Sequence, residues 1–323
     1  MESLSKYQIL FNDYLETNKQ KPSPHGLYAP IEYILSLGGK RLRPLLALMA
    51  TEAFGNKPEE ALPAALSVEV FHNFTLIHDD IMDQAPIRRG APSVHNKWNE
   101  NTGILSGDAM LIQAYQCLEP YQNDLFVKLI KHTSKTALEV CEGQQYDMDF
   151  ETQKDVSISA YLEMIRLKTA VLVGHSLKIG AWIGYASDQE AQLLYDFGVL
   201  LGMAFQIQDD YLDAFGDPKD FGKQVGGDIL ENKKTILYHE VMKSGNIKEK
   251  KELIQWYDTT VKNNQKVIAV KEIFKSSGAS IASQKFVASY TEDAFKKLES
   301  LIISKQGKKL LIEFGQNLMN RKF

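Results

Sequence analysis

Apolar residues recur at intervals of three and four along most of the chain, a spacing typical of amphipathic helices. Leu4, Tyr7 and Leu10 show it at the start, and the segment from Leu62 to Ile77 shows it again. No stretch of useful length alternates between apolar and polar residues as a strand does. The pattern therefore predicts an all-α protein, a single-domain helical bundle that spans residues 1–323.

One predicted helix, Tyr161 to Ile183, is apolar on almost every side, which indicates a central position. It nevertheless contains Lys168 and Thr169. Lysine is almost never fully buried unless it is paired. Lys168 therefore either extends to the surface or faces an anion inside the protein, and both alternatives stay open at this point.

Composition limits the kinds of partner that the protein can bind and the cell compartment that we expect for it. The 323 residues carry a net charge of -4, which gives no general attraction to nucleic acid or anionic lipid. The two cysteines, Cys117 and Cys141, lack metal-ligand spacing, so we expect buried thiols in a reducing cytosol. No apolar run approaches the ~18 residues of a transmembrane helix, and the first residues do not resemble a signal peptide. We expect a cytoplasmic protein without a transmembrane segment.

A cluster of aspartates closes the apolar segment that begins at Leu62. Asp79, Asp80 and Asp83 are costly on a buried helix, because ionised groups leave water only when they are paired or metal-bound. Asp79 and Asp83 lie four residues apart and share a helix face, where like charges repel unless a cation lies between them. The pattern predicts a cation site.

The same arrangement recurs after a second apolar run. Asp209, Asp210 and Asp213 repeat the spacing, and Gln206 lies three residues before Asp209, near its face. Two such clusters indicate two walls of one central cavity. Mg²⁺ prefers oxygen ligands and commonly combines carboxylates with phosphate oxygens, so the clusters favour a diphosphate substrate. The glycine-rich polar stretch from Gly216 to Gly227 is a candidate lid.

Basic residues accompany the acidic clusters. Gly38 and Gly39 precede Lys40, Arg41 and Arg43, and glycines allow a ligand to approach the backbone while cations match phosphate oxygens. Taken alone, such a short cluster is more often a solvated surface than a phosphate site. Arg88 and Arg89 follow the first aspartates, and His72 lies along the Asp79 face of the same predicted helix.

The ordered combination of these motifs resembles the trans-isoprenyl diphosphate synthases of the polyprenyl synthetase family. The segments that carry the resemblance are residues 38–44, 78–83, 88–90, 107–109, 168–169 and 205–213, extended by 222–223, 227–228 and 233–235. They cover roughly residues 35 to 240, whereas the C-terminal third matches in helical character only. The resemblance implies an isoprenoid synthase fold.

The resemblance also implies a role for each matching residue. The diphosphate of isopentenyl diphosphate would contact Lys40, Arg43, His72 and Arg89. Three Mg²⁺ ions would be bound by Asp79, Asp83 and Asp209, with Asp80, Asp210 and Asp213 supporting them directly or through water. The allylic diphosphate would contact Arg88, Lys168, Lys223 and Lys233. Thr169 and Gln206 would present oxygen atoms near its first carbon.

The implied activity is a Mg²⁺-dependent prenyltransferase that joins isopentenyl diphosphate head-to-tail to dimethylallyl, geranyl or farnesyl diphosphate, as a homodimer. Product length in the family depends on the positions of Phe74 and Thr75, with Phe71 as the next residue. An aromatic at the first of these positions and a small residue at the second imply geranylgeranyl diphosphate, with farnesyl diphosphate as the alternative. Helix spacing does not derive this role, since Phe74 lies about 140° around the helix from Asp79.

Two other functions fit part of the pattern. A class I terpene cyclase also ionises an allylic diphosphate with Mg²⁺ on a helical fold, but generally lacks a basic site for a second diphosphate. Lys40, Arg43 and Arg89 would supply such a site here. A non-catalytic partner subunit could retain the fold, but the complete set of aspartates and cations argues against that function.

Overall fold

The computed structural model describes residues 2–19, 23–153, 155–217, 225–259 and 261–319. Lys223 and most of the candidate lid lie outside these ranges. Within the described ranges the regular secondary structure is helical apart from one antiparallel pair of two-residue strands, so the all-α prediction is confirmed. Among the same residues, none of the helices combines the length and apolar character that crossing a membrane requires.

Residue contacts group the chain into two compact units, and the prediction of one domain stays a prediction. Unit 1 comprises Met1–Ala137, His175–Tyr195 and Leu301–Leu311. Its elements up to residue 116 are α1 Glu2–Thr17, α2 His25–Ser36, α3 Leu42–Ala53, a 3₁₀ turn Pro58–Ala61, α4 Leu62–Met82, β1 Ile87–Arg88, β2 Ala91–Pro92, α5 Val94–Lys97 and α6 Glu100–Gln116. Helix α4 packs mainly against α6 and α3.

The remaining helices complete the two units. They are α7 Asn123–Thr152, α8 Ile158–Ile165, α9 Val171–Ile183, α10 Asp188–Phe215, α11 Gly227–Leu230, α12 Ile236–Ser244, α13 Ile247–Tyr257, α14 Asn264–Ser276, α15 Ala279–Glu299 and α16 Lys305–Met319. Unit 2 comprises Leu138–Gly174, Asp196–Ser300 and Ile312–Phe323. Its core contains Tyr161, Ile207 and Phe274, each almost fully buried. This apolar centre supports the polar face of α10.

The long helix predicted from Tyr161 to Ile183 begins three residues earlier and has a break in its hydrogen-bond pattern. Ser157 caps α8 by accepting a hydrogen bond from the Ala160 amide at 3.1 Å. Residues Arg166–Ala170 then form a π-helical turn before α9 continues to Ile183. Such turns occur frequently at functional sites, and this one contains Lys168 and Thr169.

The cysteines differ from the expectation of two buried thiols. Cys117 is half-buried, but Cys141 is exposed, so the expectation is wrong for Cys141. The buried positions of α7 include Thr133, Thr136 and Val140, at helical spacing. Cys141 follows Val140 by one residue and therefore lies about 100° around the helix from it, on the solvent side.

Candidate active site

The first acidic cluster lies at the C-terminal end of α4. Asp79 and Asp80 belong to its last turn, and Asp83 follows Met82 as the C-cap residue. The Asp83 amide donates to the Asp79 carbonyl oxygen at 2.8 Å, so the two aspartates are one helical turn apart, as their spacing predicts. The C-terminal end of a helix carries a partial negative charge, which makes a compensating cation more favourable there.

Asp80 differs from its neighbours because it is fully buried. Arg88, on β1, donates from Nε at 2.9 Å and from Nη2 to the same oxygen, Asp80 Oδ1. Burial raises the pKa of Asp80, and the Arg88 hydrogen bonds act in the opposite direction. The second oxygen, Oδ2, is buried and accepts no hydrogen bond within the described residues. It can therefore accept one further donor or cation.

His72 and Arg43 form the centre of the basic cluster in unit 1. Arg43 Nη1 lies 3.2 Å from His72 Nε2. Burial, followed by the charges of Arg43, Arg89, Arg88 and Arg41, holds the pKa of His72 well below its usual range. The imidazole is therefore neutral, and its Nε2 accepts the hydrogen bond that orients Arg43.

Arg89 lies against the glycine segment that precedes Lys40. Its Nη1 donates to the Gly38 carbonyl oxygen. Gly39 adopts a φ of +118°, and a Cβ added there would lie 3.0 Å from the Arg89 Cζ atom. Glycine is therefore needed both for the backbone conformation and for the close approach of the guanidinium. The structure thus brings Arg43, His72 and Arg89 together beside the segment that carries the exposed Lys40.

The sequence prediction gave no role to Glu69 or Asn73, although both belong to this cluster. Glu69 is only 1% exposed and accepts hydrogen bonds from the Arg41 guanidinium and, at 2.8 Å, from Asn73 Nδ2. Asn73 Oδ1 in turn accepts from Arg89 Nη1 at 3.4 Å. A signal was present, because Glu69, His72 and Asn73 have the i, i+3, i+4 spacing of one helix face within an apolar run.

In unit 2, helix α7 contacts the π turn directly. A Cβ added to Gly143 would lie 2.2 Å from the Lys168 backbone nitrogen, so a side chain is excluded there. One turn further along α7, Asp147 accepts a hydrogen bond from Lys168 Nζ. The Lys168 side chain is 24% exposed. This lysine therefore neither extends freely to the surface nor lies unpaired inside; it is partly buried and bound to a carboxylate.

A chain of hydrogen bonds connects the π turn to the second acidic cluster. Thr169 Oγ1 donates to Gln206 Oε1 at 3.1 Å, and Gln206 Nε2 donates to Asp210 Oδ1 at 3.0 Å. The Tyr161 hydroxyl donates to the other oxygen, Asp210 Oδ2. Burial, together with the charge of Asp228, raises the pKa of Asp210 well above its usual range. Both Asp210 oxygens are thus used to orient neighbouring side chains.

An open cavity in unit 2 brings five of the predicted residues together: Lys168, Thr169, Gln206, Asp210 and Lys233. Lys233 Nζ lies 3.3 Å from Glu231 Oε2. Asp209 and Asp213 are half-buried on the same helix, α10, but do not line this cavity. Asp213 Oδ2 accepts a hydrogen bond from the Asp228 amide at 3.0 Å, which connects α10 to the segment after the candidate lid.

The acidic clusters do not form a complete metal site from protein groups alone. Among the described residues, no three His, Cys, Asp or Glu side chains converge closely enough to hold a metal ion. Mg²⁺ commonly takes one or two carboxylates and completes its octahedron with water and substrate phosphate. Carboxylates one turn apart, with an unused buried oxygen on Asp80, fit that ligand set.

The three residues predicted to limit product length lie on α4. Phe71 and Phe74 are both buried, with ring centroids 5.5 Å apart, and the Phe74 ring meets His78 edge-on at 4.8 Å. Thr75 is half-buried and donates its hydroxyl to the His72 carbonyl at 2.8 Å. A Cβ on Gly107 would lie 2.3 Å from His78 Nε2, so glycine on α6 gives this histidine its space.

Comparison with known proteins identifies the family. The polyprenyl synthetase profile matches residues 24–276. The geranylgeranyl diphosphate synthase of Methanosarcina mazei is 39% identical over 302 residues, which cover 93% of this chain and 91% of that protein. The short chain isoprenyl diphosphate synthase of Methanothermobacter thermautotrophicus is 36% identical over 303 residues, which cover 93% and 92% of the two proteins.

A solved structure gives the same result. The crystal structure of a geranylgeranyl pyrophosphate synthase matches this fold with a TM-score of 0.95 and 51% sequence identity, over 99% of both chains. The profile covers most of the chain, and the relatives are similar over nearly their full length. The chain therefore belongs to the polyprenyl synthetase family and is a prenyltransferase.

Proposed function

We propose that this prenyltransferase condenses isopentenyl diphosphate head-to-tail with an allylic diphosphate, and that its product is geranylgeranyl diphosphate. The observation that carries the proposal is the basic cluster of unit 1. Arg43, His72 and Arg89 lie together there, whereas Arg88 neutralises Asp80. Guanidinium groups gathered around a neutral histidine suit a second diphosphate, which a terpene cyclase would not need.

The proposed metal ligands are Asp79, Asp83 and Asp209, with Asp80, Asp210 and Asp213 in support. Three bound Mg²⁺ ions would neutralise the charge that develops on the departing diphosphate. The hydrogen bonds of Asp210 to Gln206 and Tyr161 favour a supporting role for this residue rather than direct ligation. Asp80 would contribute its buried Oδ2.

The cations of the chain would hold the allylic diphosphate. Lys168 and Lys233 line the unit 2 cavity, and each already lies near a carboxylate that substrate oxygens would replace or share. Arg88 and Lys223 complete the proposed set. Donors that are fixed before the reaction stabilise charge at little reorganisation cost, which is the main contribution of a protein to such an ionisation step.

Thr169 and Gln206 would stabilise the allylic cation. Gln206 donates from its amide nitrogen to Asp210, which turns its electron-rich Oε1 toward Thr169. The Thr169 hydroxyl donates a hydrogen bond to that oxygen, so the Oγ1 lone pairs remain available to a positive carbon. The isopentenyl double bond would attack the cation, and a proton would then pass to the released diphosphate.

Water must be excluded while the cation exists, because hydration would convert it to an alcohol. The stretch from Gly216 to Gly227 stays our candidate lid.

Homodimer formation is a further part of the proposal, and light scattering on the purified protein would measure it.

Product analysis tests the proposal directly. Purified protein is incubated with Mg²⁺, labelled isopentenyl diphosphate and either dimethylallyl, geranyl or farnesyl diphosphate, and the products are identified by mass spectrometry. We expect diphosphate release that requires both substrates, and a product of four isoprene units. Release from the allylic substrate alone would indicate a cyclase, and no release would indicate a non-catalytic subunit.

A further inference from the structure

A buried carboxylate lies inside the basic cluster of unit 1. Glu69 is 1% exposed and precedes His72 by one helical turn on α4. The charges of Arg41, Arg43, Arg88 and Arg89 all act on His72, so several guanidiniums lie close to this turn. By charge alone, a carboxylate here opposes the binding of a diphosphate. Its presence therefore needs a different explanation.

The first contact of Glu69 fixes the loop that carries the basic residues. Arg41 donates from Nη1 to Glu69 Oε1 and from Nη2 to the Leu35 carbonyl oxygen. Arg41 has a φ of +49° and is the N-cap residue of α3. A non-glycine residue persists in this left-handed conformation when surrounding contacts hold it. Glu69 supplies such a contact to Arg41, which lies between Lys40 and Arg43 in the sequence.

The second contact of Glu69 reaches the opposite side of the cluster. Asn73 Nδ2 donates to Glu69 Oε1 at 2.8 Å and to the Glu69 carbonyl oxygen at 2.8 Å. These two bonds leave the amide oxygen of Asn73 to accept from Arg89 Nη1 at 3.4 Å. Arg89 has a φ of +53° and also donates to Gly38. One buried carboxylate is thus hydrogen-bonded to Arg41 directly and to Arg89 through Asn73, two arginines that come from different segments.

We propose that Glu69 is a positioning residue for isopentenyl diphosphate: through Arg41 and Asn73 it holds the 38–43 loop and Arg89 in their binding geometry before the ligand arrives. This inference rests on the proposed function, since that function assigns the cluster to isopentenyl diphosphate. Like charges repel, so a preassembled cation cluster needs an internal anion to stay in place without a ligand.

Positioning and charge predict opposite effects of Glu69→Gln. This substitution keeps the size of the side chain but removes the negative charge. If only the net charge of the site mattered, isopentenyl diphosphate would bind more tightly to the variant. If Glu69 positions the cluster, the hydrogen bond from Arg41 weakens, Arg41 and Arg89 lose their fixed geometry, and the ligand binds less tightly.

The experiment uses the full-length enzyme and two measurements. Calorimetry gives the Kd of isopentenyl diphosphate without Mg²⁺ or allylic substrate, and steady-state kinetics gives KM for each substrate and kcat. For Glu69→Gln we expect both the Kd and the KM of isopentenyl diphosphate to rise about tenfold, as for the loss of a charge-assisted hydrogen bond. The KM of the allylic substrate and kcat should stay within about twofold of wild type.

Glu52→Gln is the matched control. Glu52 also accepts hydrogen bonds from a cation and a neutral side chain in unit 1, namely Lys6 and Tyr7, but it touches no residue of the cluster. We expect Glu52→Gln to change stability and to leave the Kd of isopentenyl diphosphate unchanged. If Glu69→Gln does not fold, Asn73→Ala decides, because it removes the link to Arg89 and keeps the Arg41–Glu69 pair; its Kd should also rise.

An unchanged or lower Kd in folded Glu69→Gln, or in Asn73→Ala where that variant decides, overturns the inference. An equal rise of both KM values overturns it too, because it indicates general damage rather than positioning at one site. Wild-type enzyme that binds no isopentenyl diphosphate without metal contradicts the proposed function itself, which separates that failure from a failure of the inference.

Discussion

The Thr169 hydroxyl donates to the side-chain oxygen of Gln206 at 3.1 Å, from a π-helical turn to helix α10. Asp210 accepts from the amide nitrogen of Gln206, so the orientation of this amide is fixed from both ends. An amide held this way presents its oxygen with little loss of conformational entropy during the reaction. Under the proposed function, the pair would provide a preoriented oxygen for a developing cation.

Gln206→Ala should lower kcat about a hundredfold with little change in either KM, because an interaction that forms only in the transition state acts on kcat. Single-turnover measurements would separate this effect from product release. Gln208→Ala is the control: Gln208 lies on the same helix but donates to the Met319 carbonyl at 2.9 Å and does not line the cavity. Equal losses in both variants would contradict the role of Gln206.

Asp79→Ala and Asp209→Ala should each abolish turnover and leave the fold nearly unchanged. Removal of one carboxylate relieves repulsion in its cluster and deprives Mg²⁺ of a ligand. Activity measured at saturating Mg²⁺, together with urea unfolding curves, checks both parts. Asp293→Ala, on the surface helix α15, should keep full activity. A near-wild-type rate in either cluster variant would remove the metal assignment.

Arg89→Ala should raise the KM of isopentenyl diphosphate more than that of the allylic substrate. Arg89 contacts Asn73 and Gly38 in the basic cluster, whereas Arg88, the next residue in sequence, bonds to Asp80. Neighbouring arginines thus have different partners. Steady-state kinetics with each substrate varied in turn measures the two KM values, and equal increases would contradict the separation of the two diphosphate sites.

Local sequence patterns predicted the features that depend on the periodicity of a helix. The spacing of Asp79 and Asp83 and the apolar face of α4 follow from the helical repeat. The pairs Arg41–Glu69 and Lys168–Asp147 were not predictable, since their members come from elements that meet only in the folded chain. The π turn at Arg166–Ala170 also escaped prediction; it lies against α7 at Gly143, a contact that exists only in the folded chain.

Buried neutral histidines should make stability fall in acid. Burial lowers the pKa of His239, and of His132, from 6.5 to about 4. The unfolded chain therefore binds protons below pH 6.5 that the folded protein does not bind, so the free energy of unfolding decreases as the pH falls from about 6.5 to 4. The raised pKa of Asp210 gives the opposite slope, so the histidine contribution must be isolated by substitution.

His239→Asn should therefore show a smaller loss of stability between pH 6.5 and 4.5 than wild type. Urea unfolding at a series of pH values measures the difference. His25→Asn, at an exposed position at the start of α2, is the control for replacing a histidine outside the core. An unchanged slope in His239→Asn would show that this imidazole is protonated in the folded protein.

Phe74→Ala should shift the products to longer chains. Phe74 is buried on α4 beside Phe71 and His78, and the family resemblance predicts that it is part of the wall that stops chain growth. Truncation of a buried phenylalanine typically removes ~3 to 5 kcal/mol of stability, so the variant must first be shown to fold.

Phe11→Ala provides the control for this loss of stability, since Phe11 is a fully buried aromatic on α1 without a proposed role in product length. We expect Phe11→Ala to be destabilised and to keep the wild-type product. Mass spectrometry of the extracted products compares the two variants. If folded, active Phe74→Ala makes the wild-type product, the wall lies elsewhere, and Phe71, whose ring centroid is 5.5 Å from that of Phe74, becomes the next residue to truncate.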